Sequence, residues 1–305
     1  MPLTTAGFPD VLDARFAKIF TDRYKQVKDF VPLVFTVQGP QGPQKADYRT
    51  SSIGAYPDIP EFTGTVTYQT PSEGYDVTIT PKEYAAGLSI ERRLFEDELF
   101  NVIDARPRSM SDAYARTRQK HAAQIFNNAF SVDSTWLNHT EAVALCSNSH
   151  TTRSGASTTS GFDNLVTAAL NSVSLAAVRI AMKGFRGDQA ERIEVNPDEL
   201  WVPVDLYQTA HEIIESEKVP ETANNASNVH NGQYTIREWI YLSDVNNWFV
   251  CDGQMRKDSL IWFDRVPYDF AMVEDFDTFV GKWRMRARHG HGWQDWRFVN
   301  GASVS

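Results

Sequence analysis

The stretch from Tyr48 to Pro81 alternates as a β-hairpin does, and a hairpin constrains whatever lies around it. Phe62, Gly64, Val66 and Tyr68 alternate with Thr63, Thr65, Thr67 and Gln69. After Pro71-Ser72-Glu73-Gly74, Tyr75, Val77 and Ile79 alternate with Asp76, Thr78 and Thr80. Period-two patterning on both sides of a Pro- and Gly-bounded turn predicts two strands, each with one apolar and one polar face. Two strands alone are marginal in water. The apolar face must therefore rest on the chain's own core or on another molecule, and the residues alone leave both open.

The rest of the chain predicts a mixed α+β fold. Phe16, Ile19, Phe20, Tyr24 and Val27 recur at helical spacing within the first 30 residues, and Pro32 marks the exit of this arm. Such an arm packs on its own domain or lies across a neighbour; the first is the simpler expectation. Ser89 caps an expected short helix carrying Ile90, Leu94, Phe95 and Leu99. Pro107 suits the first turn of a second helix running to about Phe130, free of Gly and further Pro. At 1.5 Å per residue it would be about 36 Å long, and its polar middle suits a spine. A polar low-complexity loop fills 147–161, and short helices are expected over Asp163–Asn171 and Ser174–Phe185. A strand bounded by Pro197 and Pro203 leads to a helix from Asp205 to about Lys218, and 220–232 reads as an exposed loop. Beyond Tyr234 the chain is strand-rich, ending on Trp283, Met285 and Ala287 alternating with Arg284, Arg286 and Arg288.

Few function classes survive the composition. Charged residues at 23% and hydrophobic ones at 42% are ordinary for a soluble globular chain, and 305 residues suffice for one large domain or two modest ones. No apolar run approaches the ~20 residues that span a bilayer, so no membrane partner is expected. The N-terminus lacks a basic segment followed by an apolar one, which predicts cytosolic folding. A net charge of −9 argues against tight nucleic-acid binding, which phosphate neutralisation by a basic surplus normally drives. Cys146 and Cys251 form no CxxC pair and read as small buried hydrophobes. His289 and His291, two apart on a strand, share a face, but no third ligand accompanies them; they read as a surface turn with no metal. No GxSxG elbow, phosphate loop or catalytic triad is nominated, and Glu91, Glu96, Asp97 and Glu98 read as a solvated face. No cofactor and no catalytic residue is expected.

Several landmarks in order carry a resemblance. Leu145-Cys146-Ser147-Asn148-Ser149-His150 through Ser154-Gly155, then Phe162-Asp163-Asn164-Leu165 and Leu175–Met182, resemble Mu-like prophage major head subunits. Asn196-Pro197-Asp198-Glu199-Leu200-Trp201-Val202-Pro203, with Leu206 and Ala210, resembles the strand and helix that follow in those proteins. Arg284-Met285-Arg286-Ala287-Arg288-His289-Gly290 is similar to the closing strand of many tailed-phage capsid proteins. The resemblance spans about residues 45 to 300 and leaves the first 40 uncovered.

It implies the Hong Kong 97-like shell fold, an α+β architecture. The implied parts are an N-terminal arm (1–44), an extended hairpin loop (45–85), a peripheral domain (86–200 and 280–305) with a spine helix at about 107–130, and an axial domain (201–279). The implied function is a major capsid protein that self-assembles, as hexamers and pentamers, into the icosahedral head around double-stranded DNA without sequence-specific binding. Scaffolding, portal and decoration proteins are implied partners, and the implied locations are the host cytoplasm during assembly and then the virion. Phe62, Val66, Tyr68, Tyr75, Val77 and Ile79 are the expected inter-subunit contacts. An encapsulin-like compartment is the alternative within the same fold and would hold protein cargo instead of DNA. A soluble hydrolase is the alternative outside it and would need an apolar pocket with convergent carboxylates.

Overall fold

The computed structural model describes residues 8–40, 46–54, 58–66, 72–91, 100–218, 227–275 and 280–305, with Tyr56, Tyr68 and Asp97. Helix α1 (Phe8–Gln26) and the single turn α2 (Val31–Val34) lead to a short strand, β1 (Thr36–Gln38). Next come β2 (Tyr48–Ile53), β3 (Glu73–Ile79), β4 (Lys82–Glu91), the long helix α3 (Phe100–Asn127) and β5 (Leu137–His139). The second half holds β6 (Leu165–Val166), α4 (Ser172–Lys183), β7 (Glu199–Val202), α5 (Tyr207–Glu215), β8 (Thr235–Glu238), β9 (Trp248–Cys251) and α6 (Gly253–Ser259). It closes with β10 (Leu260–Asp275), β11 (Val280–Trp293) and β12 (Val299–Ala302).

Three sheets result: a long one ordered β1-β10-β11-β4, a mixed one ordered β6-β12-β9-β7-β8, and a small one ordered β2-β3-β5. The 28 residues of α3 make a rod of about 42 Å. Near its C-terminal end Phe126 stacks on Trp201 and meets Phe249 at a tilt, joining α3 to the five-stranded sheet. Helix α1 lies on α3 and β10. Phe16 meets Trp283 at 4.9 Å between ring centres, and Phe20 meets Tyr268 and Phe270. The root of the arm is thus part of this chain's own core.

Two buried arginines tie these layers together. Arg118 on α3 makes two 2.8 Å bonds to Asp264 on β10 and a 3.2 Å bond to Asp29 after α1. Arg256 on α6 binds Glu199 on β7 at 2.8 and 3.2 Å and donates to the carbonyls of Leu33 and Val34. Both pairs are almost fully desolvated, so each charge depends on its partner.

Several expected elements differ. The hairpin exists, but β3 pairs with β2 (Thr50 opposite Val77, Tyr48 opposite Ile79) and not with the described residues 62–66. Residues 62–66 form no strand; they bend through Gly64, whose φ of +102° is left-handed, and Phe62 and Val66 are exposed. Alternation there reports two chemically distinct faces, and a ladder also needs a partner. Ser89 and Ile90 lie in β4, paired with Lys282 and Gly281, because β11 offers ten residues of edge. Leu94, Phe95 and Leu99 fall outside the described residues, as do Glu96 and Glu98, while Glu91 ends β4. The spine helix starts at Phe100, leaving Pro107 inside it; the lost backbone bond is tolerated because that ring is buried.

Asp163–Asn171 is not helical. Asn164 turns inward and donates to the carbonyls of Leu145 and Val299, holding Leu165 extended beside Gly301. Trp239–Leu242 is a turn after β8, with the Trp239 amide bonded to Val202. His289 and His291 are no surface turn: both lie fully buried inside β11. Finally, hydrogen-bonded sheets cross the expected domain limits. The break at 200/201 cuts β7, the break at 279/280 falls at the start of β11, opposite β10, and β12 joins β9 in the five-stranded sheet.

Candidate inter-subunit surfaces

The connection between β2 and β3 stands out. At its neck the Gly54 amide donates to the Ser72 carbonyl at 2.8 Å, and Ser52 Oγ donates to the Tyr75 carbonyl at 2.9 Å. The polar 147–161 loop braces the same place from outside. Tyr75 and Thr151 share a hydroxyl hydrogen bond of 2.5 Å, Arg153 donates to the Gly74 carbonyl, and its guanidinium lies 5.3 Å from the Tyr75 ring centre. The neck therefore leaves the body in a fixed direction.

Beyond the neck the apolar side chains have no cover. Ile53, Tyr56, Phe62 and Val66 are exposed, and Ile59 and Tyr68 are 93% exposed. Soluble monomers rarely expose a concentrated apolar group of this kind unless it docks on something. The segment also has one sign of charge: Asp58 and Glu61 sit on it, and no Lys or Arg occurs between Arg49 and Lys82.

The six expected contact residues therefore separate. Phe62, Val66 and Tyr68 are on the exposed segment, and Tyr75 is half-buried in the brace. Val77 and Ile79 are 2% and 0% exposed and lie in the main core beside Leu137, so they face their own subunit and not a neighbour. Their strand alternates because one face covers this chain's interior. Ile53, Tyr56 and Ile59 are exposed as well; they precede the regular alternation, and an apolar residue next to Pro60 gives no period to read.

Two other surfaces complete the outline. Helix α4 turns Leu175, Val178 and Met182 inward and leaves Val173, Ala177 and Ile180 outside. On β11, two of the outward row of Lys282, Arg284, Arg286 and Arg288 are met by acids: Asp275 lies 2.8 Å from Lys282 and Glu83 lies 3.4 Å from Arg286. As for chemistry, burial pushes the Cys146 and Cys251 thiols well up, away from the thiolate form a nucleophile needs. Among the described residues no group of three or more His, Cys, Asp or Glu side chains is placed to hold a metal ion.

The family described as phage capsid protein matches residues 74–299. The chain belongs to that family. No curated protein sequence matches it. Among solved structures it is similar to the capsid of a native GTA particle, at 13% identity and a TM-score of 0.56, covering 89% of this chain and 88% of that one. It is also similar to the bacteriophage JBD30 capsid, at 16% identity and a TM-score of 0.55, covering 79% of this chain and all of that one. The mature capsid of bacteriophage PhiM1 gives 9% identity, a TM-score of 0.55 and coverages of 92% and 88%.

The phage capsid protein thus has the Hong Kong 97-like α+β fold, and it is a structural, shell-building subunit of a tailed phage. The compartment and hydrolase alternatives are not favoured.

Proposed function

We propose that this capsid protein builds the head mainly through the segment between β2 and β3, which reaches from one copy onto the next. The observation that carries this reading is the pairing of a fixed neck with uncovered apolar residues at 56–68. A closed shell needs heterologous contacts, in which one surface meets a different surface of the same chain. A projecting arm enlarges such a contact without enlarging the core. In this reading the long sheet with α3 is the peripheral domain, and the five-stranded sheet with α4 and α5 is the axial domain at the centres of hexamers and pentamers. The shell encloses double-stranded DNA without gripping it, in keeping with a net charge of −9. Its work is assembly and not catalysis.

Scaffolding and portal proteins are the partners such a head requires, and assembly takes place in the host cytoplasm before the shell becomes the virion. A decoration protein is a further partner; the JBD30 capsid is decorated with minor capsid protein trimers.

Phe62→Asp with Tyr68→Asp tests the proposal. Both side chains are exposed, so the melting temperature should hold within about 2 °C, since each surface change costs within about ±0.5 kcal/mol. Sedimentation and negative-stain microscopy should then show subunits in place of shells. Normal shells from the double variant would remove the segment from the contact.

A further inference from the structure

Where α3 crosses the long sheet, three imidazoles meet in a seam inside the subunit. His121 on α3 sets Nδ1 2.9 Å from Nε2 of His289 on β11. The His289 ring is stacked between Tyr84 of β4 at 4.6 Å and Trp262 of β10 at 4.9 Å. His291 fills the space among Trp136, Phe35 and Trp262, with ring centres 4.5, 5.5 and 5.8 Å away. His289 and His291 are 0% and 1% exposed. Among the described residues, neither nitrogen of His291 and not Nδ1 of His289 has a hydrogen-bond partner. The place at 291 has the shape and polarity of a phenylalanine site, yet it holds a group that can take a proton.

The charged neighbours leave that proton without a counter-ion. From α3 comes Arg118, already positive, its guanidinium 4.8 Å over the Trp262 ring. From β10 comes Asp264, opposite His289 in the ladder but bound twice by Arg118 and once by the Trp262 indole. Asp29, after α1, is also bound to Arg118. From β4 come Lys82, a further cation in register with His289, and Tyr84, whose hydroxyl accepts from the Trp136 indole. Burial, and then the charges of His121 and Arg118, hold the His289 imidazole down to about 2. Burial, and then the charge of a protonated His121, hold the His291 imidazole down to about 3, and burial lowers His121 as well.

We infer that this seam is an acid-sensitive latch: neutral imidazoles clamp α3 against the β4-β11-β10 sheet, and protonating them opens that contact. The charged form is disfavoured only while the seam is closed. The closure is therefore complete above an ordinary histidine pKa of about 6.5 and weakens as pH falls below it. At pH 5 each imidazole so held favours opening by roughly 30-fold, so His289 and His291 together reach roughly 1,000-fold. The single hydrogen bond between His121 and His289 fails too once both rings are charged, because neither nitrogen then accepts.

Hydrogen exchange read by mass spectrometry on the full chain, corrected for intrinsic rates, tests this at pH 7.5 and pH 5. In the wild type, amides of 114–125 and 283–293 should open between 30- and 1,000-fold more at pH 5. His291→Phe, which replaces an unpartnered imidazole by a ring of similar size, should cut that acid response about 30-fold while leaving melting at pH 7.5 unchanged or higher. Adding His289→Phe should remove most of the remainder. A wild type equally protected at both pH values would overturn the latch. So would a His291→Phe protein that opens in acid as the wild type does, since carboxylates would then be responsible.

Discussion

Replacing Arg118 by Met should be among the most damaging single changes on α3, and the reason is the charge left behind. The Arg118 and Asp264 side chains are 6% and 10% exposed. Burial by itself disfavours the charged guanidinium, but the Asp264 carboxylate outweighs it and holds Arg118 more firmly protonated than usual. Met keeps much of the apolar stem over Trp262 and removes three charged hydrogen bonds at once. Among the described residues Asp264 then keeps only the Trp262 indole, 2.7 Å away, inside a dry layer. Removing one partner of such a pair costs about 3–5 kcal/mol. For 305 residues an unfolding entropy near 2.1 cal/mol/K each makes that a fall in melting temperature of about 5–8 °C. The measurement is thermal unfolding followed by circular dichroism at pH 7.5, where the seam histidines are neutral. Arg118→Met with Asp264→Asn removes both charges and leaves an amide that still accepts from Trp262. The double variant should recover at least about 2 kcal/mol of the loss, a coupling expected only of residues in direct contact. A single variant within about 1 kcal/mol of wild type would refute the reasoning. So would a double variant no better than the sum of its parts.

Two further outcomes separate folding from assembly. Val77→Asp places an unpaired charge under β2 and β5, where nothing offers it a hydrogen bond; it should abolish soluble folded protein, whereas Phe62→Asp should not. Expression with circular dichroism distinguishes them, and a folded, assembly-defective Val77→Asp protein would restore that residue to the interface. Gly301→Ala brings a methyl within 2.7 Å of Cys146 Sγ and 3.0 Å of the Phe249 ring, so it should cost about 1–3 kcal/mol in urea denaturation. Adding Cys146→Ala should return part of that, and no recovery would locate the strain elsewhere.

The α1 stripe, the long helix and β11 were legible because each carries a period that burial enforces. Trp283, Met285 and Ala287 alternate with arginines since one face meets α1 and α3 and the other meets water. Helix ends were less legible. Pro107 reads as a first-turn residue, yet the helix begins seven residues earlier, because packing can offset one lost hydrogen bond. The β4 strand was hidden for a related reason: the Ala85-Ala86-Gly87 run has little strand propensity of its own and is ordered by the edge of β11. The histidines show the same limit at the level of a site. His289-Gly290-His291-Gly292 looks like a turn by composition, but the glycines are there for space. A Cβ at Gly292 would sit 2.7 Å from Leu137, and one at Gly290 would sit 3.2 Å from Ile79. Small residues between the imidazoles let β3 and β5 close over the strand, and no local rule signals that.

The Val77 and Phe62 readings differ on one physical point, and it bears on how such a subunit works. Both lie in alternating stretches of similar composition, but Val77 has β2 and β5 as partners and Phe62 has none among the described residues. A chain that must stay soluble before assembly cannot leave a long flat apolar strand at an edge, since it would pair with any other such strand. Here the exposed apolar residues are held off a ladder by a left-handed glycine at 64 and by Pro60, and they carry Asp58 and Glu61. Stability meanwhile resides in groups remote from that segment: Arg118 with Asp264, Arg256 with Glu199, and the imidazole seam. If the exposed segment makes the contact, as proposed, folding and contact rest on separate residues and can be perturbed one at a time. Variants at 118, 199 or 256 should therefore move the melting temperature of the isolated subunit, while variants at 59, 62 or 68 should leave it in place and change only what subunits do at high concentration.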